Sequence, residues 1–158
     1  MLSVIIVGTF ATSRALAMPD FAAISAHCRD AQNLMSQLEK VDAVQRINRG
    51  RLYTDTLNLL FAMNARLSAN HLVATDLAQI TSDFANGFST FRDDYDRYDD
   101  SLNNAINVDC ANNPQTFYDQ LTVARGQRAQ LAADIANLDQ LLKNYQTTLD
   151  NSTKGIAK

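Results

Sequence analysis

The sequence predicts an all-α protein, an elongated antiparallel three-helix coiled coil with up-down-up topology. Two observations indicate this fold class. The 158-residue chain has only 5 Gly and 2 Pro, so little interrupts long helices. Apolar residues also recur in alternating steps of four and three over most of the chain, which is the heptad pattern of a coiled coil. A hydrophobic content of 46% with 20% charged residues is typical of a folded domain.

Residues 1–17 are predicted to be a signal peptide. The apolar run of residues 2–11 is followed by Ala15-Leu16-Ala17, a small-residue site with cleavage expected before Met18. The run is shorter than the roughly 20 apolar residues that a membrane-spanning helix needs. No Lys or Arg precedes it, so an ordinary buried amphipathic segment is the alternative. We expect an exported protein (periplasmic, cell-surface or secreted) with no integral membrane span after cleavage.

The first helix is predicted over residues 21–68 and has the least regular pattern. Apolar residues resume only towards its end, and Gly50 lies inside it, which leaves open whether the helix breaks near residues 48–51. Residues 69–74 are predicted to turn the chain, and Thr75 to cap the second helix. The positions that keep the heptad spacing are Cys28, Ala31, Met35, Leu38, Asp42, Gln45, Arg49 and Leu52.

The second helix, residues 75–108, is predicted to carry an aromatic seam. Its heptad positions are Leu77, Thr81, Phe84, Phe88, Phe91, Tyr95, Tyr98, Leu102 and Ala105. The aspartates of the stretch FSTFRDDYDRYDD all fall off this seam, with Asp93 placed to pair with Arg97. They lie on a helix and lack the glycine of an EF-hand loop, so a specific calcium site is not expected.

The third helix is predicted over residues 114–150, followed by a flexible tail at 151–158. Asn113 can cap it, and Pro114 suits the first helical position. Its seam repeats without a slip and includes one charged residue, Arg128. The seam positions are Phe117, Leu121, Ala124, Arg128, Leu131, Ile135, Leu138, Leu142, Tyr145 and Leu149.

Cys28 and Cys110 are predicted to form a disulfide. In an antiparallel hairpin, level residues are equidistant from the turn, and the midpoint of the two cysteines is residue 69, where the turn is predicted to begin. Two cysteines in an exported chain usually pair. The alternative is two unrelated buried thiols. A catalytic thiol pair is disfavoured because the chain has no C-x-x-C motif.

The heptad register also places three polar residues at one height. Counting across both hairpins brings Asp42, Tyr95 and Arg128 together, which predicts a polar layer in the core that penalises slipped pairings. The alternative is that Arg128 extends to solvent, towards Asp94.

Several motifs in the second half resemble those of a known group of proteins. Cys110 precedes the helix start NPQTFY, with Pro114, Phe117 and Tyr118, and the segment ARGQRAQL follows with Ala124, Arg125, Arg128 and Leu131. Together with the Phe and Tyr repeats of FSTFRDDYDRYDDSL, these motifs cover residues 81–131, about a third of the chain, which resembles uncharacterised exported coiled-coil proteins of ultra-small, reduced-genome bacteria. The resemblance implies secretion and a helical bundle, and it carries no activity.

The composition disfavours most site chemistries. A net charge of −3 and a pI near 5.2 disfavour nucleic-acid binding, which needs a basic face. The single glutamate, Glu39, cannot supply a di-metal bundle site, and the cysteines with His27 and His71 would not converge on one zinc ion. No nucleophile–base motif or phosphate loop is present. We therefore expect no enzyme activity, no metal and no cofactor.

The function predicted from these features is a non-enzymatic scaffold or protein-binding rod at the cell envelope. The alternative is a periplasmic holdase-type chaperone, although an acidic chain lacks the basic cavity wall common in that class. A third class, a small-molecule or metal-binding bundle, would depend on the predicted polar layer. The expected partner is an unidentified envelope or secreted protein, and a homo-oligomer is possible.

Overall fold

The computed structural model describes residues 19–72 and 74–156, which form four α-helices and no strand. The helices are α1 (Phe21–Ala26), α2 (Cys28–Ala69), α3 (Thr75–Asn107) and α4 (Pro114–Ile156). The predicted all-α class is therefore confirmed. The predicted signal peptide lies outside the described residues. None of the described helices combines the length and the apolar character needed to cross a membrane.

Helices α1 and α2 together occupy the span predicted for the first helix. Asp20 caps α1 by accepting a hydrogen bond from the backbone N–H of Ala23 at 3.0 Å. The distortion between the two helices lies at His27, whose backbone still bonds to Ala23 and Ala31. Helix α2 then runs through Gly50 without a break. Open space surrounds Gly50, so no close packing requires a glycine there.

The turn between α2 and α3 ends α2 through a residue in the left-handed region. His71 has a φ of 58°. Its backbone N–H donates to the carbonyl oxygen of Ser68, and the N–H of Leu72 donates to the carbonyl oxygen of Leu67, each at 3.0 Å. This pair of bonds is a Schellman motif, with histidine at the position that usually holds glycine. Thr75 is the first residue of α3 rather than its cap; the cap position is Ala74, which offers no side-chain hydrogen bond.

Helix α3 lies between α2 and α4 and provides more of the buried core than any other described helix. All nine of its predicted seam positions are buried: Leu77, Thr81, Phe84, Phe88, Phe91, Tyr95, Tyr98, Leu102 and Ala105. Helices α2 and α3 run in opposite directions, because Asn64 bonds to Thr81 near the turn while the cysteines join their far ends. The ion pair within α3 connects Arg97 to Asp94 rather than to Asp93.

Tyr53 of α2 is the core residue that the sequence pattern missed. Its side chain is 1% exposed and makes edge-to-face contacts with Phe84, Phe88 and Phe91, with ring centroids 5.7–5.9 Å apart. The predicted seam residue, Leu52, is instead 59% exposed. A strict heptad drifts by about 20° per repeat against a straight α-helix. Counted from Cys28, that drift moves the seam one residue along by the middle of α2.

Helix α4 packs one strip of side chains fully and a second strip only partly. Phe117, Ala124, Leu131, Leu138 and Tyr145 are buried, whereas the alternate heptad positions are partly exposed. At Gly87 of α3 the two helices come so close that an added Cβ would lie 3.2 Å from Leu138 Cδ2. Helix α4 continues to Ile156, so residues 151–156 of the predicted tail are helical.

The predicted disulfide between Cys28 and Cys110 is confirmed. The two Cα atoms lie 5.4 Å apart, within the usual range for a bridge. Next to it, the side-chain amide of Gln32 donates to the carbonyl oxygens of Ile106 at 2.6 Å and Val108 at 2.8 Å. These bonds attach the start of α2 to the end of α3.

Replacement of both cysteines, Cys28→Ser with Cys110→Ser, should lower the free energy of unfolding by about 4 kcal/mol. The bridge closes a loop across 82 residues, and its loss restores that loop's freedom to the unfolded chain. Urea unfolding of the oxidised protein and of the double variant measures the difference. Reducing the wild-type protein should produce the same loss. A difference below about 1 kcal/mol would contradict a stabilising role.

Candidate functional site

One polar layer joins α2, α3 and α4 at a single carboxylate. Asp42 of α2 accepts a hydrogen bond from the hydroxyl of Tyr98 on α3 at 2.6 Å. It also accepts two from Arg128 of α4, through Nε at 2.9 Å and Nη2 at 3.1 Å. Three charge-assisted bonds therefore converge on one group, and the fork from Arg128 fixes its orientation.

The structure brings Asp42 and Arg128 together but places Tyr98, not Tyr95, in the layer. Tyr95 and Tyr98 are successive seam positions, separated by about 4.5 Å of helical rise. The prediction assumed a constant register from the cysteines onward. In the structure, the residue numbers of a level pair average to 69 at the disulfide and to 70 at Asp42 and Tyr98. This shift in register places the later tyrosine level with Asp42.

The alternative prediction, that Arg128 extends to solvent towards Asp94, agrees with the structure only in part. Its side chain is 52% exposed, as expected of a residue that extends towards solvent. It does not pair with Asp94, whose carboxylate bonds to Arg97. The guanidinium instead extends from α4 to α2, where it donates to Asp42.

Burial and charge set the protonation of this layer. Burial by itself would raise the pKa of Asp42, but the hydrogen bonds from Arg128 and Tyr98 and the nearby positive charge lower it below its usual value. Burial and the bond to Asp42 raise the pKa of the Tyr98 hydroxyl. At neutral pH the layer therefore holds a carboxylate, a guanidinium and a protonated tyrosine that donates.

The hydroxyl of Tyr95 is left inside the core without a partner. Its oxygen is buried and makes no hydrogen bond to the described part of the chain. Burial, with the negative charge of Asp99 as the next cause, raises its pKa to about 12. The face of its ring is covered by Arg46, whose guanidinium carbon lies 4.8 Å from the ring centroid, a cation–π contact.

A second polar layer joins the same three helices nearer the α2–α3 turn. The side-chain amide of Asn64 donates to the hydroxyl of Thr81, and its oxygen accepts from the hydroxyl of Tyr145, each at 2.8 Å. Thr81 and Tyr145 were visible in the sequence as polar groups on apolar seams. Asn64 was missed because only apolar residues were used to follow the pattern at the end of the first helix.

A groove of about 270 Å³ lies beside the first layer, on the side that faces the second. Two turns of each helix form it: α2 from Asp42 to Arg49, α3 from Phe91 to Tyr98, and α4 from Arg128 to Ile135. The groove exists because α2 presents Gln45, Arg46 and Arg49 here instead of apolar side chains. Polar side chains cannot close the gap to α4 as leucines would, since burying them unpaired is costly.

The charges that line the groove are mainly positive. Three guanidinium groups (Arg46, Arg49 and Arg128) face one carboxylate, Asp42, in a chain whose net charge is −3. Arg46 also pairs with the exposed Asp96 at 2.7 Å. Arg49 donates to the hydroxyl of Tyr53 at 3.3 Å and has no carboxylate partner among the described residues.

The groove combines cationic groups with apolar side chains. Phe91, Tyr95 and Tyr98 are among the lining residues but are at most 4% exposed, so the accessible apolar surface beside the cationic groups comes mainly from Ala132 and Ile135. An anionic group attached to an apolar body would match both parts. In residues 19–72 and 74–156, no three His, Cys, Asp or Glu side chains are placed to hold a metal ion.

Comparison of the chain with protein-family models, with curated proteins and with solved structures finds no match.

Phenylalanine substitutions distinguish the two tyrosines. Tyr98→Phe removes a donor from the buried carboxylate of Asp42 and should lower the free energy of unfolding by about 1–2 kcal/mol. Tyr95→Phe removes a hydroxyl that has no partner, so stability should be unchanged or slightly higher. Urea unfolding of both variants provides the comparison, and a greater loss for Tyr95→Phe would reject the assignment of Tyr98 to the layer.

Proposed function

We propose that the protein is an exported, non-enzymatic helical rod that binds a partner protein at the cell envelope. In this proposal residues 1–17 are a signal peptide, and α1–α4 form the elongated up-down-up coiled coil that the heptads predict. A disulfide supports export, because such bonds persist in oxidising compartments outside the cytosol. The resemblance of residues 81–131 to exported coiled-coil proteins agrees with this location.

The groove between α2 and α4 is the observation that carries the proposal. A rod that served only as a spacer would gain stability from apolar residues at Gln45, Arg46 and Arg49, which would close α2 onto α4. The chain instead keeps a partly open groove with guanidinium groups beside aromatic rings. Arginine is also one of the residues that most often dominate the energy of protein interfaces.

The chemistry of the groove indicates what kind of segment it takes. Arg49 offers a guanidinium without a carboxylate partner, and Leu131 and Ile135 line the α4 side. The segment that fits presents an acidic side chain next to an apolar one, so that the carboxylate meets Arg49 and the apolar group lies on α4. We propose that this segment belongs to an envelope or secreted protein.

Matched arginine variants test this assignment in a pull-down from envelope extract. Arg49 lines the groove, whereas Arg51, two residues along α2, is exposed on another face. We expect the wild-type protein and Arg51→Gln to retain the same partner, and Arg49→Gln to lose at least tenfold in apparent affinity, as follows from removing a charge-assisted bond.

Two results would contradict the groove as the binding site. One is equal retention of the partner by Arg49→Gln and the wild-type protein. The other is an equal loss in both variants, which would indicate a nonspecific dependence on positive charge. Circular dichroism of each variant controls for folding.

A further inference from the structure

Four large apolar side chains of α2 form a stripe that contacts neither α3 nor α4 closely. Leu34, Val41, Leu52 and Leu59 are 66%, 57%, 59% and 64% exposed. At 100° per residue they fall within about 20° of one line along the helix. That line lies roughly 100° around α2 from Met35, Tyr53 and Leu60, its buried residues. We call these four residues the α2 stripe.

The spacing of the α2 stripe is the same when read in either direction. The intervals are seven, eleven and seven residues, centred between Arg46 and Ile47. If a second copy of α2 lies antiparallel across this line, Leu34 of one copy faces Leu59 of the other, and Val41 faces Leu52. A two-fold axis requires such self-complementarity of a surface.

The charges beside the stripe fit the same arrangement. Asp30 and Arg66 are exposed on one side of the α2 stripe, near its two ends. In the antiparallel pairing Asp30 of one copy lies within three residues of level with Arg66 of the other, about 4.5 Å along the axis. In the same pairing, Asp55 of one copy lies within one residue of level with Gln37 of the other copy. The pairing therefore places two acid–arginine pairs at its ends, while Lys40 of one copy and Arg51 of the other lie nearly level further round the same side, about 90–110° from the line of the stripe.

We infer that the α2 stripe is the interface of a homodimer, in which α2 of one copy packs antiparallel against α2 of a second copy. This inference does not rest on the groove or on the proposed partner, although Gln45, which lines the groove, lies about 30° from the line of the α2 stripe. The stripe spans about 38 Å and a helix is about 10 Å wide, so each copy buries several hundred Å². That area is smaller than the roughly 800 Å² per partner of a standard interface, which predicts a dimer whose population depends on concentration.

Two lysine substitutions separate the α2 stripe from other exposed apolar residues. Leu59 belongs to the stripe, while Phe61, 54% exposed, projects about 200° away on the same helix. Sedimentation equilibrium of the purified, disulfide-bonded chain should show a monomer–dimer equilibrium. Leu59→Lys should weaken dimerisation at least tenfold, and Phe61→Lys should leave it unchanged.

A charge exchange tests the register itself. Leu34→Glu combined with Leu59→Lys places a glutamate opposite a lysine across the proposed interface. Within one chain these positions are about 38 Å apart, so they cannot pair internally. The combined variant should recover dimerisation relative to Leu59→Lys at low salt and lose it again at high salt.

Three results would overturn the inference. They are a wild-type chain that stays monomeric throughout the concentration series, an equal effect of Phe61→Lys and Leu59→Lys, and a charge-exchange variant that dimerises no better than Leu59→Lys. Normal helicity and unfolding midpoints of each variant show that a loss of dimer is not a loss of fold.

Discussion

The burial of the α3 seam is the interaction on which the rest of the structure depends. Its nine side chains face α2 and α4 together, and five of them are aromatic. Each aromatic side chain removes on the order of 150–250 Å² from water, and its burial contributes roughly 1.5–3 kcal/mol relative to leaving it exposed. Both polar layers also use this seam, Tyr98 in one and Thr81 in the other. Helices α2 and α4 are therefore held mainly through α3 and only locally to each other.

The weaker attachment of α2 explains where candidate binding features occur. Only Met35, Tyr53 and Leu60 of its 42 residues are fully buried, so α2 is held at separated points: the disulfide, Asp42, Tyr53 and Asn64. Between two of these points lie the arginines that keep the groove open. On its outer flank lie the apolar residues of the α2 stripe. A helix that is not needed to complete the core can present both kinds of surface without loss of the fold.

How much the sequence could predict depended on the regularity of each helix. On α3 every seam position was identified, because apolar and aromatic residues follow the heptad without a gap. The disulfide was identified because both cysteines lie at the end of a hairpin whose turn the composition marks. On α2 the pattern was interrupted by Asp42, Gln45 and Arg49, so the drift of a straight helix went uncorrected and Leu52 was chosen over Tyr53. The same small change in register exchanged Tyr95 for Tyr98. The groove was not predictable, because it is set by the distance between α2 and α4, which a heptad count does not contain.

Native-state hydrogen exchange tests most directly whether the α3 seam holds the molecule together. Backbone amides open with free energies that reflect the local packing, and core helices approach the global value. We expect amides from Phe84 to Leu102 to exchange only through global unfolding. Amides from Ala43 to Arg49 of α2, beside the groove, should exchange through smaller openings at lower free energy. Exchange of the α3 segment at the same rate as the α2 segment, or faster, would contradict the central position of α3.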